Sequence, residues 1–168
     1  MNDDTSNTPL QESIAFTIWV DADAAPREVK EIVFRASKRL GLPVRLVANQ
    51  SIFAPPSGGR VQSIAVASGA NMADRYIVDH ACPGDLVITA DIPLASQLVD
   101  REILVLDPRG LILDANNVRS RLAARDLLDA ARGAGMEVSG PSPYSAQDKT
   151  AFASALDRIL TKAMRKKS

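Results

Sequence analysis

Carboxylates directly follow three apolar stretches of this sequence, and they are the residues best able to do chemistry. They are Asp21 with Asp23, Asp91, and Asp107. Several aspartates in one cleft repel each other, and a bound Mg²⁺ or Mn²⁺ ion removes that repulsion through a few carboxylates and several waters. Such an ion can polarise a phosphoryl group and generate hydroxide from water. This chemistry requires no histidine or cysteine, and the chain has only one of each.

The first pair of aspartates lies where a predicted strand gives way to a helix. Apolar side chains alternate over residues 14–20, which predicts a largely buried strand. Pro26 suits the first turn of a helix, and Val29 begins an apolar stripe with helical spacing. In open α/β sheets this edge, outside the carboxyl ends of the strands, is where ligands bind. Asp21 and Asp23 are therefore placed to face a site.

A second segment repeats the same layout of strand, aspartate, proline and helix. The apolar run 86–90 ends at Asp91, and Pro93 opens a helix that extends to about Val99. If this strand neighbours the first, as in common doubly wound orders, Asp21 and Asp91 meet. The remaining pattern predicts strands over 44–48, 61–67, 103–106 and 111–113, and helices over 71–82, 116–132 and from 146 onward. Such alternation predicts an α/β sandwich, with a mostly parallel sheet and helices on both faces.

The helix predicted over 71–82 contributes a further carboxylate. At 100° per residue, Asp74 falls inside the apolar stripe that includes Ala73 and Ile77, whereas Asp79 falls on the far side. A carboxylate in a core-facing stripe needs a partner or an ion, and the neighbouring Arg75 projects elsewhere. We therefore expect Asp74 to join Asp21 and Asp91.

Structural explanations exist for several of these acids. Asp23 and Asp91 each lie just before a predicted helix, where a carboxylate can cap the backbone and interact with the helix dipole. Asp107 opens Asp-Pro-Arg-Gly, and aspartate is favoured at the first position of a turn. His80 lacks the companion ligands of a metal site, and nothing marks Cys82 as a nucleophile.

Composition narrows the possible classes. The chain has 168 residues, and we expect a disordered tail over 1–12 followed by one domain over 13–165. Twenty basic and twenty acidic residues cancel, which excludes a strongly basic protein that coats nucleic acid. The single cysteine, the polar N-terminus and the lack of an apolar run of about 20 residues predict a cytoplasmic protein without membrane contact. No glycine-rich nucleotide-binding loop is found.

Several motifs together resemble the YaiI/YqxD family, a functionally uncharacterised bacterial family regarded as similar to PIN-like domains. The resemblance covers about residues 14–160. It rests on Ile18-Trp19-Val20-Asp21-Ala22-Asp23, Leu46-Val47-Ala48-Asn49-Gln50, Val87-Ile88-Thr89-Ala90-Asp91-Ile92-Pro93-Leu94, Asp107-Pro108-Arg109-Gly110, Arg121-Leu122-Ala123-Ala124-Arg125-Asp126 and Ser145-Ala146-Gln147-Asp148.

The resemblance implies a PIN-like three-layer sandwich, the fold of many Mg²⁺-dependent ribonucleases. It also implies an acidic pocket formed by Asp21, Asp23, Asp74 and Asp91. Thr89 and Asp91 look like the Thr-x-Asp element of PIN nucleases. The family usually has cysteine at the position of Ala25, so this chain lacks any role that the family gives that thiol.

The leading hypothesis is an enzyme, a phosphodiesterase that acts on RNA with Mg²⁺ or Mn²⁺. The expected catalytic residues are Asp21, Asp23, Asp74 and Asp91, of which Asp21, Asp74 and Asp91 are the expected metal ligands. The expected substrate contacts are Asn49, Thr89, Arg109 and Arg125. The arginines of the 116–132 helix have an alternative as a solvated face. Two other functions remain open: a haloacid-dehalogenase-like phosphatase using Asp21 and Asp23, and a non-catalytic module that binds RNA or protein.

Overall fold

The computed structural model describes residues 16–165, which form six strands and five helices. The expected tail over 1–12 and the start of the first predicted strand lie outside these residues. The strands are β1 (Ile18–Asp21), β2 (Val44–Ala48), β3 (Val61–Ala65), β4 (Leu86–Ile88), β5 (Leu104–Leu106) and β6 (Ile112–Leu113). The helices are α1 (Arg27–Leu40), α2 (Met72–His80), α3 (Ile92–Asp100), α4 (Ala115–Gly133) and α5 (Ala146–Arg165).

The six strands form one sheet in the order β3-β2-β1-β4-β5-β6. All neighbours are parallel except β5 and β6, which are antiparallel. The predicted adjacency of the first and fourth strands is confirmed, since Val20 of β1 lies opposite Ile88 of β4. The chain leaves β1 toward β2 on one side and later returns to β4 on the other. The strand order therefore reverses between β1 and β4, and ligands of open α/β sheets bind at such a point.

Each face of the sheet has its own hydrophobic core, as expected for strands buried on both sides. Ile18 and Val20 of β1 point to the face covered by α1 and α5, where Phe152 is fully buried. Trp19 points to the opposite face, where Ile77 of α2 belongs to the same apolar cluster, together with residues of α3 and the start of α4. The molecule is thus a three-layer α/β sandwich, in agreement with the sequence prediction.

Most element boundaries follow from local signals in the sequence. A capping box begins α5: the backbone N–H of Asp148 donates to Ser145 Oγ at 3.1 Å, and the N–H of Ser145 donates to the Asp148 carboxylate at 2.9 Å. The third strand ends at Ala65 rather than at residue 67, because its partner β2 ends at Ala48, which lies opposite Ala65. The end of β3 is therefore set by its pairing with β2, which composition does not encode.

No helix within residues 16–165 is both long enough and apolar enough to cross a membrane.

Candidate functional site

Asp21 is the last residue of β1, and its half-buried carboxylate is held by the neighbouring strand. The Thr89 hydroxyl donates a hydrogen bond to Asp21 Oδ2 at 3.0 Å. Burial raises the pKa of Asp21 above its ordinary value, and the hydrogen bond from Thr89 acts in the opposite direction. The negative charges of Asp91 and then Asp23 add to the increase. The carboxylate therefore lies within the field of two other acids.

The segment after β4 fixes Asp91 in two ways. The buried Thr89 Oγ1 accepts the backbone N–H of Asp91 at 3.0 Å, which links this residue to the hydroxyl that also contacts Asp21. Asp91 is the N-cap of α3, and its Oδ1 accepts the backbone N–H of Leu94 at 3.0 Å. The capping role considered from the sequence is therefore present. It occupies Oδ1 and leaves the other carboxylate oxygen to its neighbours.

Asp74 reaches the same place from the first turn of α2. Its carboxyl group lies close enough to Asp91 and Asp21 for their negative charges to act on it. Burial, followed by the charges of Asp91 and Asp21, raises the pKa of Asp74 to about 6. Asp79 is exposed. The helical phase deduced from the sequence is thus correct: Asp74 faces the acids at the sheet edge.

Asp23 has a different position from the other three acids. Its exposed carboxylate accepts the backbone N–H of Asn49 at 2.8 Å and so joins the ends of β1 and β2. It does not cap α1, whose N-cap Pro26 has no side-chain hydrogen bond. Asn49, predicted as a substrate contact, is exposed beside it. Asp23 therefore lies at the rim of the acidic site.

A cavity of about 400 Å³ opens at the acidic pair of α2 and α3. Asp74 and Asp91 line it together with Arg75, Gln97 and Arg125. Arg125 comes from α4, where its guanidinium also lies 3.5 Å from Asp129. Sequence reasoning missed Gln97 and directed Arg75 away from the site. The signal for both was local: Arg75 follows Asp74 in the first turn of α2, and Gln97 lies six residues after Asp91, on α3.

Arg109 has partners of its own on the far side of the sheet edge. Its guanidinium lies 2.8 Å from the Asp148 carboxylate and contacts the Ser142 carbonyl. Asp107 accepts the backbone N–H groups of Arg109 and Leu111, each at 2.9 Å, which is the turn role considered from the sequence. At Gly110 (φ +92°) a Cβ atom would lie 2.6 Å from the Ala151 backbone. Asp-Pro-Arg-Gly thus forms a turn packed against α5.

The oxygen ligands and charges of these acids determine whether they can bind a divalent cation. Within residues 16–165, no group of three or more His, Cys, Asp or Glu side chains is arranged to hold a metal ion. Mg²⁺, however, is usually bound by only one or two carboxylates, with waters and substrate oxygens completing the shell. Asp74 and Asp91, which both line the cavity and lie beside Asp21, supply hard oxygen ligands of that kind. His80 stacks on Tyr76 away from these acids.

The fold and the site together define an α/β sandwich with crowded carboxylates at the carboxyl edge of a parallel sheet. Residues 19–162 match the family described as "Uncharacterized BCR, YaiI/YqxD family". A UPF0178 protein of Geobacter sulfurreducens is 51% identical over 150 residues, covering 89% of this chain and 99% of that protein. A UPF0178 protein of Bordetella petrii is 49% identical, covering 88% and 98%.

The chain belongs to the YaiI/YqxD family, as the resemblance in the sequence indicated. Another relative, a UPF0178 protein of Shewanella baltica, is 48% identical over 88% of this chain and 97% of its own. None of these names carries an activity. No solved structure matches the chain.

Proposed function

We propose that this protein is a PIN-like phosphodiesterase that hydrolyses RNA with Mg²⁺ or Mn²⁺. The single observation that carries the proposal is the convergence of Asp21, Asp74 and Asp91 from three separate elements, where burial and then the charges of Asp91 and Asp21 raise the pKa of Asp74. A fold does not retain three crowded carboxylates for stability, since each raises the free energy of the others. A divalent cation would turn this repulsion into attraction.

Each side chain of the site has a separate role in the proposed reaction. Asp74 and Asp91 would bind the cation directly, Asp21 would reach it through a coordinated water, and Thr89 orients Asp21 through its hydroxyl. A bound cation would polarise a phosphoryl oxygen and lower the pKa of water. Arg125, which also lines the cavity, is suited to hold a phosphate oxygen through its guanidinium.

Two other predicted substrate contacts, Asn49 and Arg109, have smaller roles in the proposed reaction. Asn49 is exposed at the same edge and is available to a nucleotide flanking the scissile phosphate. Arg109 is engaged by Asp148, so contact with RNA would require it to exchange that partner. Asp23 influences the site through its charge on Asp21. RNA is favoured as substrate by the resemblance of Thr89 and Asp91 to the Thr-x-Asp element of PIN ribonucleases.

The test compares cleavage of an end-labelled single-stranded RNA in Mn²⁺, in Mg²⁺ and in excess chelator. Wild type is expected to cleave only with metal, Asp74→Asn to lose at least about 100-fold in rate, and the matched control Asp79→Asn to stay within a few-fold. Circular dichroism is used to check that both variants fold. Equal loss in both variants, or cleavage that survives the chelator, would refute the assignment of Asp74.

The same samples separate the other two functions. Salt-dependent RNA binding that is unchanged in Asp74→Asn, without cleavage, would identify a binding module, because phosphate contacts dominate such affinity. Beryllium fluoride bound to Asp21 would instead identify a phosphatase with an aspartyl-phosphate intermediate. Either result replaces the proposal.

A further inference from the structure

The cavity at the acidic site is larger than the proposed reaction requires. Its volume of about 400 Å³ lies within the range of pockets that hold small organic ligands. The proposed reaction uses Asp74, Asp91 and Arg125 of its lining. Gln97 and an apolar surface also line the cavity, and neither can bind a metal ion or attract a phosphate through charge.

The apolar surface of the cavity lies between α2 and α3. Both helices follow strands of the parallel sheet and begin at its carboxyl edge, so each successive turn lies farther from that edge. On α2, Val78 lies one turn beyond Asp74 and is half-buried. On α3, Pro93 and the buried Leu94 follow Asp91. A ligand that extends from the acids into the cavity therefore meets aliphatic side chains from both helices.

Gln97 lies at the end of this apolar surface. It comes six residues after Asp91, which places it about 9 Å farther along α3 at 1.5 Å per residue. Its side chain is exposed, and its amide has no hydrogen-bond partner within residues 16–165. The amide can donate through nitrogen and accept through oxygen at the same time. The cavity thus presents carboxylates, then aliphatic side chains, then an amide.

We infer that this cavity holds one nucleotide of the RNA, with its base between α2 and α3 and the edge of the base hydrogen-bonded to the Gln97 amide. The inference rests on the proposed function for the position of the phosphate, which lies at Asp74 and Asp91. A base has flat faces that pack on aliphatic side chains, and its edge has the adjacent donors and acceptors that an amide matches. That edge is free only in an unpaired nucleotide, so the substrate is single-stranded.

Calorimetric titration with nucleoside monophosphates in Mg²⁺ tests the base contact, and ribose 5-phosphate is the probe that lacks a base. We expect the best nucleotide to bind at least about tenfold more tightly than ribose 5-phosphate, because the sugar phosphate leaves the aliphatic side chains of the cavity in contact with water. Equal affinities, or no binding of any nucleotide at millimolar concentration, would overturn the inference.

Gln97→Ala is expected to weaken nucleotide binding at least about fivefold and to leave ribose 5-phosphate unaffected, because it removes hydrogen bonds to the base alone. Gln147→Ala is the matched control, since Gln147 is also an exposed glutamine in a helix, but α5 covers the opposite face of the sheet. Both side chains are exposed, so both variants should fold. The same loss in both variants, or in neither, would show that Gln97 does not contact the base.

Gln97→Glu tests the direction of these hydrogen bonds, because a carboxylate accepts and cannot donate. Guanine presents two adjacent donors on its Watson–Crick edge, whereas uracil presents one donor between two acceptors. The affinity for guanosine monophosphate relative to uridine monophosphate should therefore rise at least about fivefold over the wild-type ratio. The added negative charge weakens both nucleotides alike and leaves the ratio unaffected. An unchanged ratio would contradict recognition of the base by Gln97.

The inference and the proposed function can fail separately. If the protein cleaves RNA with metal but binds ribose 5-phosphate as tightly as nucleotides, the proposed function stands and the inference is wrong. If nucleotides bind in a manner that depends on Gln97 but RNA is not cleaved, the base site is supported and the proposed phosphodiesterase is not.

Discussion

Strand β4 has an aspartate near each end, and their surroundings differ. Before the strand, Asp85 is only 3% exposed, yet its carboxylate accepts hydrogen bonds from the Trp19 indole N–H at 3.0 Å and from the backbone N–H groups of Thr17 and Cys82. After the strand, Asp91 caps α3 by accepting the backbone N–H of Leu94, and its other neighbours are carboxyl groups. Asp85 is the more deeply buried of the two.

The difference shows that burial of an acid is a poor guide to its role, whereas the nature of its neighbours is a good one. Asp85 is surrounded by donors that only a carboxylate satisfies, which is how a structural acid is stabilised. Asp74 lies beside Asp91 and Asp21, and burial together with the charges of these two acids raises its pKa. Crowding of this kind destabilises the fold and marks a candidate site. Three measurements test this difference between Asp85 and the acids that follow β4.

The largest expected effect is on stability at the first end of β4. Asp85→Ala leaves the indole N–H of the buried Trp19 and two backbone N–H groups without their acceptor, and we expect a loss of about 2–4 kcal/mol in the free energy of unfolding. Chemical denaturation at pH 7 measures it. Asp74→Ala is the counterpart and should cost little. A loss below about 1 kcal/mol for Asp85→Ala would show that its hydrogen bonds are not stabilising.

The meeting of acids after β4 can be predicted from the sequence, whereas the hydrogen bonds of Asp85 before β4 cannot. The phase of Asp74 follows from the periodicity of α2, and the meeting of Asp21 with Asp91 follows from the repeated strand, aspartate and proline layout. Both are local patterns combined with one rule of sheet topology. Asp85, by contrast, gave no signal, because its partner Trp19 is 66 residues away. Such a contact depends on the register of two strands, which local propensity does not set.

The same limit explains the position of Arg109, whereas side-chain length explains that of Arg75. The partner of Arg109, Asp148, is 39 residues away and meets it only because α5 packs back over the turn at Gly110. Arg75 reaches the cavity although its helical phase directs it away from Asp74, since a long side chain at a rim is not confined to its own sector. Element identity and phase could thus be predicted from the sequence, and contacts across long separations could not.

The second measurement is the effect of divalent cations on thermal stability. A site of millimolar affinity, about tenfold saturated, adds about 1.4 kcal/mol to the free energy of unfolding and raises Tm by about 3–5 °C. Mg²⁺ and Mn²⁺ should both do so, and Asp91→Asn should remove the shift. Asp85→Asn is the informative control, because its carboxylate is already surrounded by donors and offers nothing to a cation. No shift in the wild type would count against any preformed cation site.

The smallest effect, and the most specific to crowding, is the dependence of stability on pH in metal-free protein. Asp74 has a pKa of about 6 in the folded protein and an ordinary value of 3.8 when the chain is unfolded. Between these values the folded state binds more protons than the unfolded state, so stability falls as pH rises from about 4 to about 6. Above about pH 6 this loss of stability is complete, and below about pH 4 there is no loss.

Asp74→Asn should remove that part of the pH dependence, because an amide stays neutral and can donate a hydrogen bond to Asp91. Since Asp74 is only partly buried, solvent screening reduces the effect, and we expect the variant to melt about 1–3 °C above the wild type at pH 7.5 and level with it at pH 4. Asp79→Asn should follow the wild-type profile. If Asp74→Asn loses stability at pH 7.5, then Asp74 is a satisfied acid like Asp85, and the contrast between the two ends of β4 fails.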